Sequence, residues 1–153
     1  HDKLTGVGNR HAYVKCMENL EKNAGQSLGI LFADINGLKK ANDLYGHERG
    51  DYMIKSVAKR LQEYFKENVF RVGGDEFVVF CPGVEEEAFK KMVDDIKNNP
   101  SSDVVASIGM LWTPECANVE LHVAQADEIM YKNKQEYYGL TFGTDDGISS
   151  GNI

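Results

Sequence analysis

The sequence is poor in the features that mark disulfide-rich, low-complexity and membrane-spanning proteins. Only three prolines and three cysteines occur among 153 residues, and no Pro-rich linker or internal repeat divides the chain. Cys16, Cys81 and Cys116 form no CxxC pattern, so we interpret them as reduced thiols rather than as disulfides or zinc ligands. No apolar run approaches the ~18 residues of a transmembrane helix, and residues 1–20 lack a secretory apolar core.

The chain also lacks an excess of positive charge. Its 17 Lys and Arg against 24 Asp and Glu give a formal net charge of −7. A protein that binds phosphate backbones without sequence preference needs a basic face, so we expect no nucleic-acid partner. With the reduced thiols and no membrane segment, this charge predicts a cytoplasmic domain, although the parent protein can be anchored in a membrane elsewhere.

The chain begins at His1 without an initiator Met. We therefore expect a fragment of a longer protein, with a sensor or dimerisation domain on its N-terminal side. The mass of 17.1 kDa and the 42% hydrophobic content are typical of one globular domain. We assign the domain to residues 1–142 and predict a flexible tail, rich in Gly, Ser and Asp, over 143–153.

Apolar periodicity predicts the order of the elements. Helical spacing marks 9–23 and 46–65, and short apolar runs mark strands at 28–35, 69–72, 77–80 and 104–112. A further helix carries the apolar stripe of 89–96, and Asn118 is placed to cap a last helix. From the first strand onward the order is β-α-β-β-α-β. This predicts an α+β fold with a ferredoxin-like βαββαβ core sheet flanked by helices.

Three carboxylates are expected at one end of this sheet. In the ferredoxin-like topology the first and third strands are adjacent and antiparallel, so the turn with Asp75 and Glu76 lies beside Asp34. Clustered carboxylates repel each other unless a cation joins them, and a few hard oxygen ligands suit Mg²⁺. A single acidic residue at a strand end is more often simply solvated, so the prediction depends on their convergence.

Five segments of the chain together resemble one known family. They are DKLTGVGNR at 2–10, DINGLKKANDLYGHERGD at 34–51, RVGGDEF at 71–77, SIG at 107–109 and ADEIMYKNK at 126–134. In this order and spacing they are similar to the motifs of the GGDEF family of diguanylate cyclases, nearly throughout the chain. The resemblance implies a nucleotidyl-cyclase-like catalytic domain of bacterial signalling. Such a domain condenses two GTP into cyclic di-GMP, with release of two pyrophosphates, across a homodimer.

The matched motif positions imply a site for Mg²⁺, with Mn²⁺ as an alternative cofactor. Asp34, the backbone carbonyl of Ile35, Asp75 and Glu76 match the metal-binding positions. Asp75 and Glu76 also match the catalytic positions, which activate the 3′-hydroxyl of one GTP to attack the α-phosphate of the other. This assignment agrees with the general need of phosphoryl transfer for charge neutralisation and alignment.

The resemblance also implies a set of substrate-binding residues, several of which have a simpler structural interpretation when each is taken alone. Asn42 and Asp51 match guanine recognition, Lys39 and Lys134 match phosphate contacts, and the other matched positions are His47, Arg71, Gly73 and Gly74. Taken singly, Asn42 is a candidate helix cap, Asp51 a partner of the helix dipole and Arg71 a partner in an ion pair. His47 and Lys134 have a simpler interpretation as solvated surface residues.

Several positions depart from the family pattern. Gly37 and Leu38 replace a bulky or aromatic pair, Asn36 replaces a frequent Asp, and Tyr138 replaces an arginine matched to a phosphate contact. Tyr64 and Glu67 stand where the family's inhibitory product site has Arg and Asp. A tyrosine lacks the bidentate donors of arginine, so we expect that inhibitory site to be absent.

Three functions remain open from the sequence. The leading hypothesis is an active diguanylate cyclase, which the intact Asp75 and Glu76 favour. The alternative of a catalytically weak, GTP-binding regulatory module is favoured by Gly37, Leu38 and Tyr138. A cyclase that makes a mixed guanine–adenine dinucleotide is the third, and Asp51 argues against it.

Overall fold

The computed structural model describes residues 1–99, 102 and 104–151, with side chains to residue 139. In chain order the elements are α1 (Arg10–Glu21), β1 (Leu28–Ile35), α2 (Leu38–Tyr45), α3 (His47–Phe65), β2 (Val69–Arg71), β3 (Glu76–Pro82), α4 (Glu86–Asn98), β4 (Ala106–Thr113) and α5 (Val119–Gly151).

The four described strands form one antiparallel sheet in the order β2-β3-β1-β4. In the register of β1 with its two neighbours, Asp34 pairs with Glu76 of β3 and with Ser107 of β4. The predicted ferredoxin-like fold is therefore confirmed. The β2–β3 turn lies at the carboxyl end of β1, as the topology requires.

Helices cover both faces of the sheet, and β1 is buried along its whole length. One set of its side chains packs with α3 and α4: Leu31, Ala33 and Ile35. The alternate set packs with α1 and α5: Leu28, Ile30 and Phe32. Since side chains alternate across a strand, a strand buried on both faces requires the continuous apolar run seen in the sequence.

The crossover from β1 to β2 contains two helices, where the sequence predicted one. The chain turns at Gly46, whose N–H donates to the carbonyl of Asn42 at 2.8 Å, and α3 then follows the predicted range closely. Periodicity missed α2 because the helix has only eight residues, so its apolar positions repeat over too short a length to be recognised.

The last helix is longer than the apolar pattern indicated. It continues to Gly151, through most of the segment predicted as a flexible tail, and residues 152 and 153 lie outside the described part. The division into a domain at 1–142 and a tail at 143–153 stays a prediction. Within the described ranges, no helix combines the length and the apolar character needed to cross a bilayer.

Close packing between α5 and β4 depends on Gly109. A Cβ built at this residue would collide with the carbonyl oxygen of Ala126 and the backbone nitrogen of Met130. Those atoms belong to the helix backbone, which cannot move aside as a flexible side chain would. The glycine therefore sets how near α5 approaches the sheet.

We expect Gly109→Ala to lower the free energy of unfolding by about 1–3 kcal/mol, the usual cost of overpacking. Gly139→Ala is the matched control, because Gly139 is exposed on α5 and its added Cβ meets nothing within 4 Å. That control should raise the free energy of unfolding by about 0.5–1 kcal/mol, since alanine favours helix over glycine. Urea denaturation measures both, and equal effects would contradict the proposed close contact.

Candidate active site

Three carboxylates meet at the carboxyl end of β1. Asp34 ends that strand, and Asp75 and Glu76 come from the β2–β3 turn and the start of β3. One oxygen from each lies within 4.8 Å of the others. The backbone N–H of Ile35 donates to the carbonyl of Asp75 at 3.0 Å, which ties the turn to β1. The convergence predicted from topology is therefore present.

Asp34 is a buried carboxylate with only one of its oxygens paired. Its Oδ2 lies 3.0 Å from Nζ of Lys134, whereas Oδ1 has no hydrogen-bond partner among the described residues. Burial raises the pKa of Asp34 to about 7, with a further contribution from the neighbouring Asp75, while Lys134 acts in the opposite direction. An unpaired buried acceptor is costly, so Oδ1 requires an explanation.

Negative charge extends beyond this carboxylate. Burial and the charges of Asp75 and Asp127 raise the pKa of Glu76, against the effect of Lys134 and Arg10. Burial also raises the pKa of Asp127, which the sequence analysis quoted only as part of a motif. The unpaired Oδ1 and three converging carboxylates fit a divalent cation with oxygen ligands, such as Mg²⁺.

The opening segment of the chain braces the turn that carries the acidic pair. Nη2 of Arg71 donates to the carbonyl of Gly74 at 2.8 Å, and Nη1 lies 3.2 Å from a carboxylate oxygen of Asp2. Nη1 of Arg10 donates to the carbonyl of Val72 at 2.9 Å. The guanidinium of Arg71 thus holds the turn and makes the ion pair of the simpler interpretation, while its contact with substrate stays a prediction.

The two glycines of the signature lie between β2 and β3. The N–H of Gly73 donates to the carbonyl of Glu76 at 3.4 Å, and Gly74 is exposed. They place the backbone of the turn at the edge of the acidic cluster, where the sequence predicted contact with substrate.

A second group of predicted site residues lies where α2 meets α3. A Cβ at Gly50 would collide with Oδ1 of Asn42, so the glycine makes room for this side chain. That Oδ1 is buried and has no hydrogen-bond partner among the described residues. Asp51 follows Gly50 and is exposed, as are His47 and Lys39. The helix pair thus carries a buried amide oxygen without a partner among the described residues and, one residue after Gly50, an exposed carboxylate.

Helix α5 contributes two residues to the site. Lys134, which the sequence left open as a solvated lysine, is 5% exposed and pairs with Asp34. Tyr138 was interpreted only as the loss of an arginine, but its hydroxyl accepts a hydrogen bond from the N–H of Gly37 at 3.0 Å. No local signal indicated this contact, because the two residues are 101 positions apart.

Tyr64, which stands where the family's product-inhibition site has an arginine, has a hydrogen-bond partner within the chain. The hydroxyl of Tyr64 donates to a carboxylate oxygen of Asp95, and the guanidinium of Arg60 lies 4.8 Å from the centroid of the tyrosine ring. Nη2 of Arg60 also donates to the carbonyl of Asn99 at 2.5 Å. The expected absence of the inhibitory site stays a prediction.

Comparison with known proteins decides the family. A sequence model described as "Diguanylate cyclase, GGDEF domain" matches residues 1–138. The chain belongs to the GGDEF family. It is 33% identical to diguanylate cyclase DgcS of Shewanella oneidensis over 144 residues, covering 87% of this chain and 49% of the relative. It is 32% identical to diguanylate cyclase DgcN of Escherichia coli over 151 residues, covering 89% of this chain and 37% of that relative. The chain thus spans half or less of these relatives.

Solved GGDEF structures share the fold. The coiled coil and GGDEF domain of DgcB from Caulobacter crescentus, in complex with c-di-GMP, gives a TM-score of 0.74 at 22% identity, over 88% of this chain and 80% of that one. The GGDEF domain of TpbB (YfiN) from Pseudomonas aeruginosa gives a TM-score of 0.75 at 28% identity, over 89% of each chain. The family and fold inferred from the motifs are both confirmed.

The raised pKa of Asp34 predicts a pH-dependent stability of the metal-free chain. The folded chain keeps a proton on Asp34 that the unfolded chain releases above its ordinary pKa of 3.8. The free energy of unfolding should therefore fall as pH rises from about 4 to about 7. At about 1.4 kcal/mol per pKa unit, the loss amounts to a few kcal/mol.

Denaturation in the presence of a chelator, from pH 4 to 8, measures this dependence. Asp34→Asn should flatten the slope without abolishing it, because Glu76 also has a raised pKa. Asp94→Asn, at an exposed position on α4, should retain the original slope. An unchanged slope in Asp34→Asn would show that the buried carboxylate is not its source.

Proposed function

We propose that the chain is the catalytic domain of a diguanylate cyclase, which condenses two GTP into cyclic di-GMP and two pyrophosphates. The observation that carries this proposal is the acidic cluster of Asp34, Asp75 and Glu76, whose ligand oxygens lie within 4.8 Å in a chain of this family. The unpaired Oδ1 of the buried Asp34 indicates that the cluster is built for a cation. Relatives named as diguanylate cyclases support the same function.

The metal ligands follow from this cluster. Asp34, the carbonyl of Ile35, Asp75 and Glu76 would hold Mg²⁺ or Mn²⁺. Such a cation, when bound, offsets negative charge on the triphosphate and on the oxygens around the reacting phosphorus. The excess of carboxylates over cations within the cluster supports this assignment, because a divalent ion would offset the burial and the mutual repulsion that raise the pKa values of Asp34 and Glu76.

The chain's own side chains would handle the reacting groups. The 3′-oxygen of one GTP bonds to the α-phosphorus of the other, the bond to pyrophosphate breaks, and the 3′-proton passes to a carboxylate. Asp75 and Glu76 are the candidates to receive it, because the turn places the two carboxylates together at the end of β1. Arg71 acts here by bracing the turn through Gly74.

Two lysines are assigned to the triphosphate. Lys134 is the better supported, because its ammonium is buried and lies 3.0 Å from Oδ2 of Asp34, at the edge of the metal site. Lys39 is exposed at the start of α2, a few residues beyond the same strand end. Positive charge at these points offsets the charge of a transferring phosphoryl group.

Guanine recognition is assigned to Asn42 and Asp51. The Asn42 oxygen has no hydrogen-bond partner among the described residues, and the exposed Asp51 directly follows Gly50, against which that oxygen packs. A carboxylate accepts from N1–H and the exocyclic amine of guanine, which adenine does not offer in that arrangement. His47, exposed at the start of α3, is assigned to the same substrate pocket.

The reaction requires two copies of the domain. The product is two-fold symmetric, whereas each chain has one acidic cluster and one Asn42–Asp51 pair, and so presents one GTP. An isologous pairing of two sites satisfies that symmetry. We place the partner-binding element on the N-terminal side of this chain, and the coiled coil that accompanies the GGDEF domain in DgcB is an element of the expected kind.

A GTP-binding module without turnover is the second candidate. Tyr138 favours it, because the position matched to a phosphate-binding arginine carries a hydroxyl that contacts Gly37 instead. Incubation with GTP, and then with GTP and ATP together, separates the candidates by product. Cyclic di-GMP indicates the cyclase, a mixed dinucleotide indicates relaxed specificity, and bound but unreacted GTP indicates the module.

Asp75→Asn should abolish cyclic di-GMP formation and leave the fold intact, since the amide keeps the volume but loses the charge. We expect a loss of at least about 10–100-fold, the range for disturbing the support of a metal ligand. Chromatography of the products from GTP and Mg²⁺ measures this. Asp94→Asn, which removes an exposed carboxylate from α4, is the control and should react normally. Full turnover in Asp75→Asn would refute the assignment.

The domain should prefer GTP to ATP strongly, and Asp51→Ser should weaken that preference. Sites that hydrogen-bond a substrate group reject analogues without it by up to ~10⁴–10⁵. The ratio of kcat/KM for the two nucleotides gives the preference. Asp43→Ser, which removes an exposed carboxylate from the adjacent α2, should leave the ratio unchanged. Equal use of ATP by the unmodified chain would contradict the roles of Asn42 and Asp51.

Specific activity should rise with protein concentration. The net charge of −7 per chain opposes association of free domains, so few productive dimers form in dilute solution. Fusion to a coiled-coil dimer should raise the activity, since tethering supplies an effective concentration of ~mM. Initial rates over a hundredfold dilution test this, with a fusion to a monomeric helix as the control. Constant activity per molecule across the series would exclude a weak dimer.

A further inference from the structure

The loop between β1 and α2 is fixed by hydrogen bonds from consecutive backbone donors. The N–H of Ile35 donates to the carbonyl of Asp75 at 3.0 Å, and the N–H of Asn36 donates to the carbonyl of Val105 at 2.9 Å. The side chain of Asn36 is also held, because its Oδ1 accepts from the hydroxyl of Ser107 at 2.8 Å. These contacts attach the loop to the beginnings of β3 and β4, the two strands that pair with β1.

The next donor in the loop depends on a distant helix. The N–H of Gly37 donates to the hydroxyl of Tyr138, 3.0 Å away and 101 positions later in the chain. Gly37 precedes the first residue of α2, has a φ of 74° and provides no side-chain cap for that helix. Tyr138 is 4% exposed, so its hydroxyl is held in a packed environment.

The same turn of α5 also holds the other end of the loop. Lys134 and Tyr138 are four residues apart and therefore share one face of the helix. Nζ of Lys134 lies 3.0 Å from Oδ2 of Asp34 and 5.9 Å from the centroid of the Tyr138 ring. One turn of α5 thus contacts the first and last residues of the segment 34–37, which contains the proposed metal ligands of β1.

We propose that Tyr138 is a positioning residue for the triphosphate site, and this rests on the function proposed above. Its hydroxyl holds the β1–α2 loop in the conformation that sets the Ile35 carbonyl and the start of α2 for substrate. Tyr138 acts through Gly37 and does not itself contact GTP. The replacement of the family's arginine is then a change of role, from phosphate contact to support of the loop.

Removal of the hydroxyl has a defined kinetic consequence. Without this acceptor the loop occupies its competent conformation for a smaller fraction of the time, and the apparent affinity for substrate falls by that fraction. Once GTP is bound, the loop is again in place and the chemical step proceeds as before. The expected signature is therefore a raised KM with an unchanged kcat.

Tyr138→Phe tests this because it deletes only the hydroxyl. At a fixed protein concentration we expect the KM for GTP to rise about 3–10-fold, as for loss of one typical hydrogen bond, with kcat within about 2-fold. Tyr131→Phe is the matched control, since Tyr131 lies on the same helix and is 45% exposed. It should leave both constants unchanged.

Amide hydrogen exchange provides a readout that needs no catalysis. In the nucleotide-free chain, peptides covering 35–45 should exchange faster in Tyr138→Phe than in the original chain or in Tyr131→Phe. A lower KM would show that the hydroxyl competes with substrate, and a lower kcat at constant KM would show a merely structural role; either result overturns the proposal. So does unchanged exchange. If Tyr138→Phe shows the faster exchange but the original chain makes no cyclic di-GMP, the result counts against the proposed function alone.

Discussion

The antiparallel pairing of β1 with β3 is the constraint on which the site depends. It brings Asp34 opposite Glu76, although more than forty residues separate them in the chain, and the adjoining turn adds Asp75. Hydrogen bonds along both edges of β1 fix the register, and a slip of one residue would move every β1 side chain to the other face. The same register that buries the core therefore also assembles the acidic cluster.

Bringing these carboxylates together has an electrostatic cost that the fold offsets only in part. Lys134 pairs with one oxygen of Asp34, and its buried ammonium supplies the nearest positive charge, yet the pKa values of Asp34 and Glu76 remain raised. A cation and a bound triphosphate would complete the balance, since each supplies the charge that the other lacks. The charge balance of the cluster is thus consistent with a site that is organised for both.

The parts of the chain outside the strands serve mainly to hold this arrangement. Asp2 and Arg10, at the start of the chain, brace the signature turn through Arg71 and Val72. Helix α5 packs against β4 at Gly109, which places its next turns over the end of β1. Side chains on rigid elements keep their positions better than side chains on loops, and here a helix holds the loop between β1 and α2 at the site.

Local patterns in the sequence determined much of this protein: the buried strands, the amphipathic helices, the ferredoxin-like order and the motif residues of the acidic cluster. Apolar periodicity depends on residues close together in the chain, so it indicated β1 and the long α3 but missed α2, which has only eight residues. Only the tertiary structure decided that Arg71 braces a turn, that Lys134 is buried against Asp34 and that Tyr138 supports Gly37. Lys134 and Tyr138 lie about a hundred positions from their partners, and the ion pair that orients Arg71 joins it to Asp2 at the start of the chain. These partners are set by packing rather than by spacing, so no short window of sequence contains both sides of the interaction.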